Sequence, residues 1–278
     1  MRFDAHTHVW ENWPYQPAVP DPTTRARAEQ LLYQMDANGV ERAVVICARI
    51  GDNPGNVDYA FAAAARHPGR LVVFPDLECR WSPDFRTPGA AERLEQALSH
   101  WDFLGFTLYL EEAEDGAWLT GPEGSPFFAL AEAQRLVLSL SAMPHQMPEV
   151  LKLARQYPRL PILLHHLGFC GPRRDSIADA EAMIIAAAAA PNIHLKFSGM
   201  GNVTTPQQEF PYAPALPTWA RIAKAFGPHR TIWGSDFPVS SRRMTYRQAQ
   251  SMLEHHGPFA SDDLAAVFHD NMARLLAR

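Results

Sequence analysis

The stretch Arg2-Phe3-Asp4-Ala5-His6-Thr7-His8 decides how the rest of this chain is read. Side chains alternate across a β-strand. A strand here puts Arg2, Asp4, His6 and His8 on one face and Phe3 and Ala5 on the other. The arrangement this predicts turns the polar face toward a barrel axis and the apolar face toward surrounding helices. Two histidines at this spacing, at the C-terminal end of a strand, are placed to clamp one ion such as Zn²⁺. Taken alone, the pair fits two surface histidines near a terminus equally well.

Outward from this segment, short apolar runs recur between helical patterns, the signature of βα units. Eight strands are predicted, at residues 2–8, 42–49, 71–76, 103–109, 136–142, 162–166, 193–198 and 231–236. Most are near-continuous Val, Ile, Leu and Phe, as in parallel strands buried on both faces. Helices are predicted at 24–38, 56–67, 90–101, 148–157, 178–190, 217–226 and 243–256, with a last one from 261 to about 276. The chain's 278 residues suit one α/β domain, a (β/α)₈ TIM barrel spanning 1–278; such barrels run to about 250 residues. Two Pro/Gly-rich stretches, 111–126 and 199–217, follow predicted strands 4 and 7 and are expected to form walls of a substrate pocket.

Composition narrows the function. The formal net charge of −5 argues against a nucleic-acid footprint. No apolar run reaches the roughly 18 residues of a membrane span, and Asp4 and His6 interrupt any signal-peptide core. Cys47, Cys79 and Cys170 are widely spaced and match no zinc-finger pattern. The expectation is a cytoplasmic protein with reduced thiols and a small-molecule substrate as its partner.

Further candidate residues lie at strand ends, where barrel enzymes keep their chemistry. Asp236 ends an apolar strand, so it must be paired, solvated or metal-bound, unless it caps the following helix. His165 and His166 follow Ile162-Leu163-Leu164. Neighbours on a strand face opposite ways, so one of the pair enters the barrel, and periodicity does not choose between them. In Ile193-His194-Leu195-Lys196-Phe197-Ser198 the polar residues share one parity. A lysine is almost never buried without a partner, so Lys196 is expected at a polar barrel mouth, binding a substrate carboxylate or polarising a carbonyl. Strand 5 offers Ser139 and Ser141, with His145 just beyond. Arg49 and Tyr109 end strands 2 and 4 and are candidate substrate-binding groups.

Four ordered segments, Asp4-Ala5-His6-Thr7-His8, Leu164-His165-His166-Leu167-Gly168, Asn192-Ile193-His194-Leu195-Lys196-Phe197-Ser198-Gly199 and Trp233-Gly234-Ser235-Asp236-Phe237-Pro238, together resemble the amidohydrolase superfamily. The nearest branch is the metal-dependent-hydrolase group of TIM-barrel lactonases and related decarboxylases. The similarity runs to Asn271-Met272-Ala273-Arg274-Leu275. It implies that His6 and His8 are the strand-1 metal pair, that Asp236 activates water, and that His166 is the strand-6 active-site histidine. His165 stands where this branch often has an aspartate.

The chain departs from the superfamily pattern in two places. Ser141-Ala142-Met143 ends strand 5 where many members have a metal-binding histidine, and Thr107 and Tyr109 end strand 4 without a bridging lysine. The resemblance therefore implies at most one divalent ion, Zn or Mn, held by His6, His8 and Asp236 with His145 as a further ligand, or none. It also implies a hydrolase that opens a lactone of the carboxylated-pyrone, muconolactone or sugar-acid class. The alternatives are a metal-dependent decarboxylase of an aromatic or unsaturated acid, and a non-catalytic binding protein on the same scaffold, against which the joint presence of His6, His8, His166 and Asp236 argues.

Overall fold

Runs such as Ala43-Val44-Val45-Ile46 and Leu71-Val72-Val73-Phe74 carry apolar side chains on both faces, and each forms a strand with core on two sides. The structure is a computed structural model and describes residues 1–78, 80–170, 176–204 and 208–277. Its strands are β1 (Phe3–Thr7), β2 (Arg42–Ile46), β3 (Leu71–Phe74), β4 (Gly105–Tyr109), β5 (Val137–Ser141), β6 (Ile162–Leu164), β7 (Ile193–Phe197) and β8 (Thr231–Trp233). Each pairs in parallel with its sequence neighbour within two runs, β1 to β3 and β4 to β8. Single bridges close both seams, Asp76 to Thr107 between β3 and β4, and Thr7 to Phe237 between β1 and the end of β8. The expected (β/α)₈ barrel is therefore present.

The helices are α1 (Ala28–Ala37), α2 (Asn56–Arg66), α3 (Ala90–His100), α4 (Gly124–Ala133), α5 (Met147–Gln156), α6 (Ile177–Ala187), α7 (Leu216–Phe226), α8 (Tyr246–His256) and α9 (Asn271–Leu276). A π-helical segment, Ala266–Asp270, leads into α9. Among the described residues, no helix is long and apolar enough to cross a membrane. Helix α4 lies partly inside the stretch read above as loop. Its buried Phe127, Phe128 and Ala131 pack on the outer core. The helix is apolar on nearly every face, so it lacks the polar–apolar period by which the others are recognised. Pro126, which reads as a breaker, fits in its first turn.

Two layers of core result. The larger lies between strands and helices. The smaller fills the barrel itself with Phe3, Ala5, Val44, Ile46, Phe74, Val137, Leu163 and Ile232, and Met272 and Leu276 of α9 pack against it. This inner set corrects the first-strand reading, because Phe3 and Ala5 face the axis. Arg2 and Asp4 instead face out to α8, where they meet Glu254 and Tyr246. The reason is a β-bulge. Phe3 and Asp4 sit opposite Arg42 and Ala43, but Thr7 sits opposite Val45, so three residues of β1 span two of β2. The extra residue reverses the alternation, and beyond it His6 and His8 point inward.

Cys47 and Cys170 are buried thiols; Cys79 lies outside the described residues.

Candidate active site

The bulge is held by Asp4. Its carboxylate accepts hydrogen bonds from the backbone N–H of His6 (3.1 Å) and Ser235 (2.9 Å) and from the Tyr246 hydroxyl (2.7 Å), tying β1 to β8 and α8. Burial raises the Asp4 carboxyl to about 6 even though these donors favour the charged form. Above this clamp the two edge strands continue in register, with the Asp236 N–H on the His6 carbonyl at 2.8 Å and the His8 N–H on the Phe237 carbonyl at 2.7 Å.

Strand β8 ends at Trp233, and Asp236 then takes a left-handed backbone, φ +59°. Its carboxylate thereby turns onto the barrel axis. Strand β6 ends at Leu164, and His166, Leu167, Gly168 and Phe169 are all left-handed. Such a run costs of order 1 kcal/mol per non-glycine residue and persists where the surroundings enforce it. Its consequence corrects the His165/His166 reading. Strand alternation no longer applies beyond Leu164, and both imidazoles line the same cavity.

Asp236 Oδ1 lies 3.4 Å from His8 Nε2, 3.6 Å from His6 Nε2 and 3.8 Å from His166 Nε2. Each ring is fixed from behind. His8 Nδ1 donates to the Ile46 carbonyl at 2.7 Å, and the ring stacks on Trp10. His166 Nδ1 meets Ser198 Oγ at 2.9 Å. His6 Nδ1 faces Lys196 Nζ at 3.2 Å. Lys196 Nζ also donates to Ser139 Oγ at 2.7 Å, and that hydroxyl meets His165 Nε2 at 2.7 Å. Burial, and then the nearby Lys196, push His6 and His165 well below the ordinary histidine range, so both rings are neutral at pH 7. Burial lowers the Lys196 amine to about 7, against the pull of Asp4 and Asp236.

The cavity above this floor measures about 320 Å³. Its walls come from the loops after β1, β2, β3, β4, β5 and β8: Tyr15, Ile50, Arg80, Trp81, Glu112, Met143 and Val239, together with Tyr109 and Phe169. Burial pushes the phenols of Tyr15 and Tyr109 above their usual range, which keeps both as hydroxyl donors.

The structure brings together His6, His8, His166, Asp236 and Tyr109, and three other candidates lie elsewhere. Lys196 is fully buried beneath His6 and does not line the cavity. His145 sits in the turn before α5 with Nε2 on the Glu114 carbonyl at 3.1 Å, away from the metal-competent donors. Arg49 pairs with Asp76 at 3.2 Å and lines a separate cavity beside α3. It lies three residues past the end of β2, and the buried carboxylate of Asp76, just past β3, draws its guanidinium sideways. Of the two long loops, 111–126 contributes Glu112, whereas no described residue of 199–217 lines the cavity. The sequence reading missed Tyr15, Arg80 and Trp81. The signal available was the Trp and Tyr clustered in the Pro-rich segment after strand 1, and Arg80-Trp81 after strand 3.

His6, His8 and Asp236 offer ligand atoms within 4.8 Å of one another, as do His6, His165 and His166. His6 Nε2 is buried without a hydrogen bond, and His8 has the Nδ1-to-carbonyl support usual for metal-bound imidazoles. The cluster is able to hold a metal ion. Both donor sets draw on His6.

Comparison with known proteins agrees with the fold. An L-fucono-1,5-lactonase from Burkholderia ambifaria is 29% identical over 256 residues, 86% of this chain and 81% of its own length. The crystal structure of a zinc-bound amidohydrolase from Burkholderia multivorans superposes with a TM-score of 0.79 at 20% identity, covering 99% of both chains. A probable 2-pyrone-4,6-dicarboxylic acid hydrolase from Acinetobacter baumannii, with citric acid bound, superposes at 0.77 with 18% identity, covering 99% of this chain and 98% of the other. The profile of the amidohydrolase family matches residues 3–278, and the chain belongs to that family.

Proposed function

We propose that this protein is a hydrolase that opens a lactone, with Asp236 as its proton shuttle. The observation that carries the reading is the placement of one carboxylate oxygen within 3.8 Å of three imidazole nitrogens at the floor of a cavity. Ester hydrolysis needs a base that takes a proton from water and an acid that returns one to the leaving oxygen, and one carboxylate does both in turn. Water held by Asp236 attacks the lactone carbonyl while the surrounding imidazoles orient the carbonyl and stabilise its developing negative charge. Collapse of the tetrahedral adduct breaks the ring C–O bond, and the proton on Asp236 passes to the freed oxygen. Tyr15 is placed to donate to a substrate hydroxyl, and Tyr109, whose proton goes to the Cys47 carbonyl at 3.4 Å, to accept from one. One divalent ion, zinc or manganese, held by His6, His8 and Asp236, would supply Lewis-acid polarisation of the carbonyl.

Among lactones, the walls favour a polyhydroxylated sugar-acid lactone over a dicarboxylated pyrone. Tyr15, Trp81 and Tyr109 present aromatic surface, and among the described lining residues Arg80 is the only arginine or lysine. The similarity to an L-fucono-1,5-lactonase points the same way. We place the enzyme in the cytoplasm, acting on a small molecule. The experiment is a panel of sugar-acid lactones, muconolactones and carboxylated pyrones, followed by acid release. Turnover of a sugar-acid lactone in preference to the dicarboxylates is expected. Release of CO₂ from an aromatic acid, with no lactone opened, would overturn the reading.

A further inference from the structure

We propose that Lys196 fixes His6 as a hydrogen-bond donor and thereby weakens metal binding at this site, so that His6 and His8 are not an equivalent ligand pair. The inference rests on His6, His8 and Asp236 being the functional cluster and does not depend on which substrate is turned over.

The argument is one of hydrogen-bond polarity. Asp4 and Asp236 pull Lys196 toward its charged form, and below its value of about 7 it is an ammonium, with three N–H donors and no acceptor. Lys196 Nζ is fully buried and spends its donors on His6 Nδ1 at 3.2 Å and Ser139 Oγ at 2.7 Å. His6 Nδ1 is therefore an acceptor, and the single ring proton of a neutral imidazole sits on Nε2, the atom 3.6 Å from Asp236 Oδ1. His8 is wired the opposite way. Its Nδ1 meets the Ile46 carbonyl at 2.7 Å. A carbonyl only accepts, so the His8 proton sits on Nδ1 and its Nε2 presents a lone pair 3.4 Å from Asp236 Oδ1.

A histidine that binds a metal through one nitrogen donates its other N–H to a carboxylate, carbonyl or water. His8 meets that condition and His6 meets its inverse. For His6 to coordinate through Nε2, its proton must move to Nδ1 and face the donors of Lys196. The lysine's charge then lies across one imidazole ring from a divalent cation. Both effects disfavour the ion. In return, His6 keeps an Nε2–H pointed at the reacting centre, where it can donate to a carbonyl oxygen.

Changes of groups that support ligand histidines typically shift metal affinity about 10–100-fold, usually downward. Here the sign is reversed. At pH 6.5, below the Lys196 value, Lys196→Met is expected to bind zinc 10–100-fold more tightly than wild type in competition with a chelator, with manganese(II) following the same order. Lys196→Arg, which keeps the charge and the donors, is expected to stay near wild type. Equal or weaker zinc binding by Lys196→Met would overturn the proposal. Should that variant fail to fold, the wild type decides the matter. Ring ¹⁵N spectra, assigned by loss of signals in His6→Asn, should show His6 as the Nε2–H tautomer and His8 as Nδ1–H. A His6 Nδ1–H signal would overturn the proposal. Neither readout uses lactone turnover, so failure of the lactonase reading and failure of this inference are distinguishable.

Discussion

His166 reaches the cavity floor through a left-handed turn that brings its ring close against Gly199. A Cβ on Gly199 would lie 2.2 Å from His166 Nδ1, and φ there is +61°. No side chain fits without expelling the imidazole. Gly199→Ala is therefore expected to cost about 1–2 kcal/mol from the left-handed backbone and, separately, about 10²-fold in kcat/KM, the order expected when a catalytic group moves by 1 Å. Gly39, at the C-terminal end of α1, provides the comparison, because it has φ +65° and a Cβ there would come no closer than 4.0 Å to another residue's atoms, at Arg2 Nη1. Gly39→Ala should lower the melting temperature to a similar degree and leave kcat/KM within about twofold. Equal kinetic losses in the two variants would show that His166 is not held by Gly199.

The same residues show what a sequence reading reaches. His6, His8, the His165-His166 pair and Asp236 were legible from their strand-end positions, and the choice of His166 within its pair came from the family resemblance rather than from periodicity. Their orientation was legible only in part. The bulge in β1 and the left-handed turns at His166 and Asp236 both break strand alternation, and neither leaves a composition signal. Lys196 was placed on the correct face but at the wrong depth, because parity says nothing about height along the barrel axis.

At the scale of elements, β7 carries chemistry at one end and only stability at the other. His194 shares the parity of Lys196 but sits at the opposite, N-terminal end of the strand. Burial, with Arg230 and Arg274 nearby, lowers its imidazole from 6.5 to about 4. Between those values the unfolded chain binds a proton that the folded chain refuses. The stabilising contribution is thus complete above about pH 6.5 and is lost as pH falls toward 4. From the linkage relation, wild type should lose about 2 kcal/mol more than His194→Gln between pH 7 and pH 5, read from urea unfolding at both pH values. Identical losses would mean that His194 is not buried as a neutral ring. The position of every strand followed from an apolar run, although the expected ends of β2, β3, β6 and β8 overrun the observed ones by two or three residues, whereas α4 escaped because its sequence is apolar all round. The cavity walls escaped because loop residues carry no period at all.

Over the whole molecule, barrel closure is what makes a site of these parts. The β1–β8 seam brings His6 and His8, near the start of the chain, against Asp236, more than two hundred residues later. Among the described residues, apolar side chains fill the barrel below, and the polar cluster forms the floor of the cavity at the C-terminal mouth. The central claim is that the carboxylate gathered there moves the protons of lactone hydrolysis. Asn is nearly isosteric with Asp and cannot take a proton at neutral pH. The most direct measurement is therefore kcat for acid release from the best sugar-acid lactone, compared between wild type and Asp236→Asn at equal metal content. The account predicts a fall of about 10²–10⁴-fold with the fold and much of the substrate binding retained. Turnover by Asp236→Asn at the wild-type rate would contradict it.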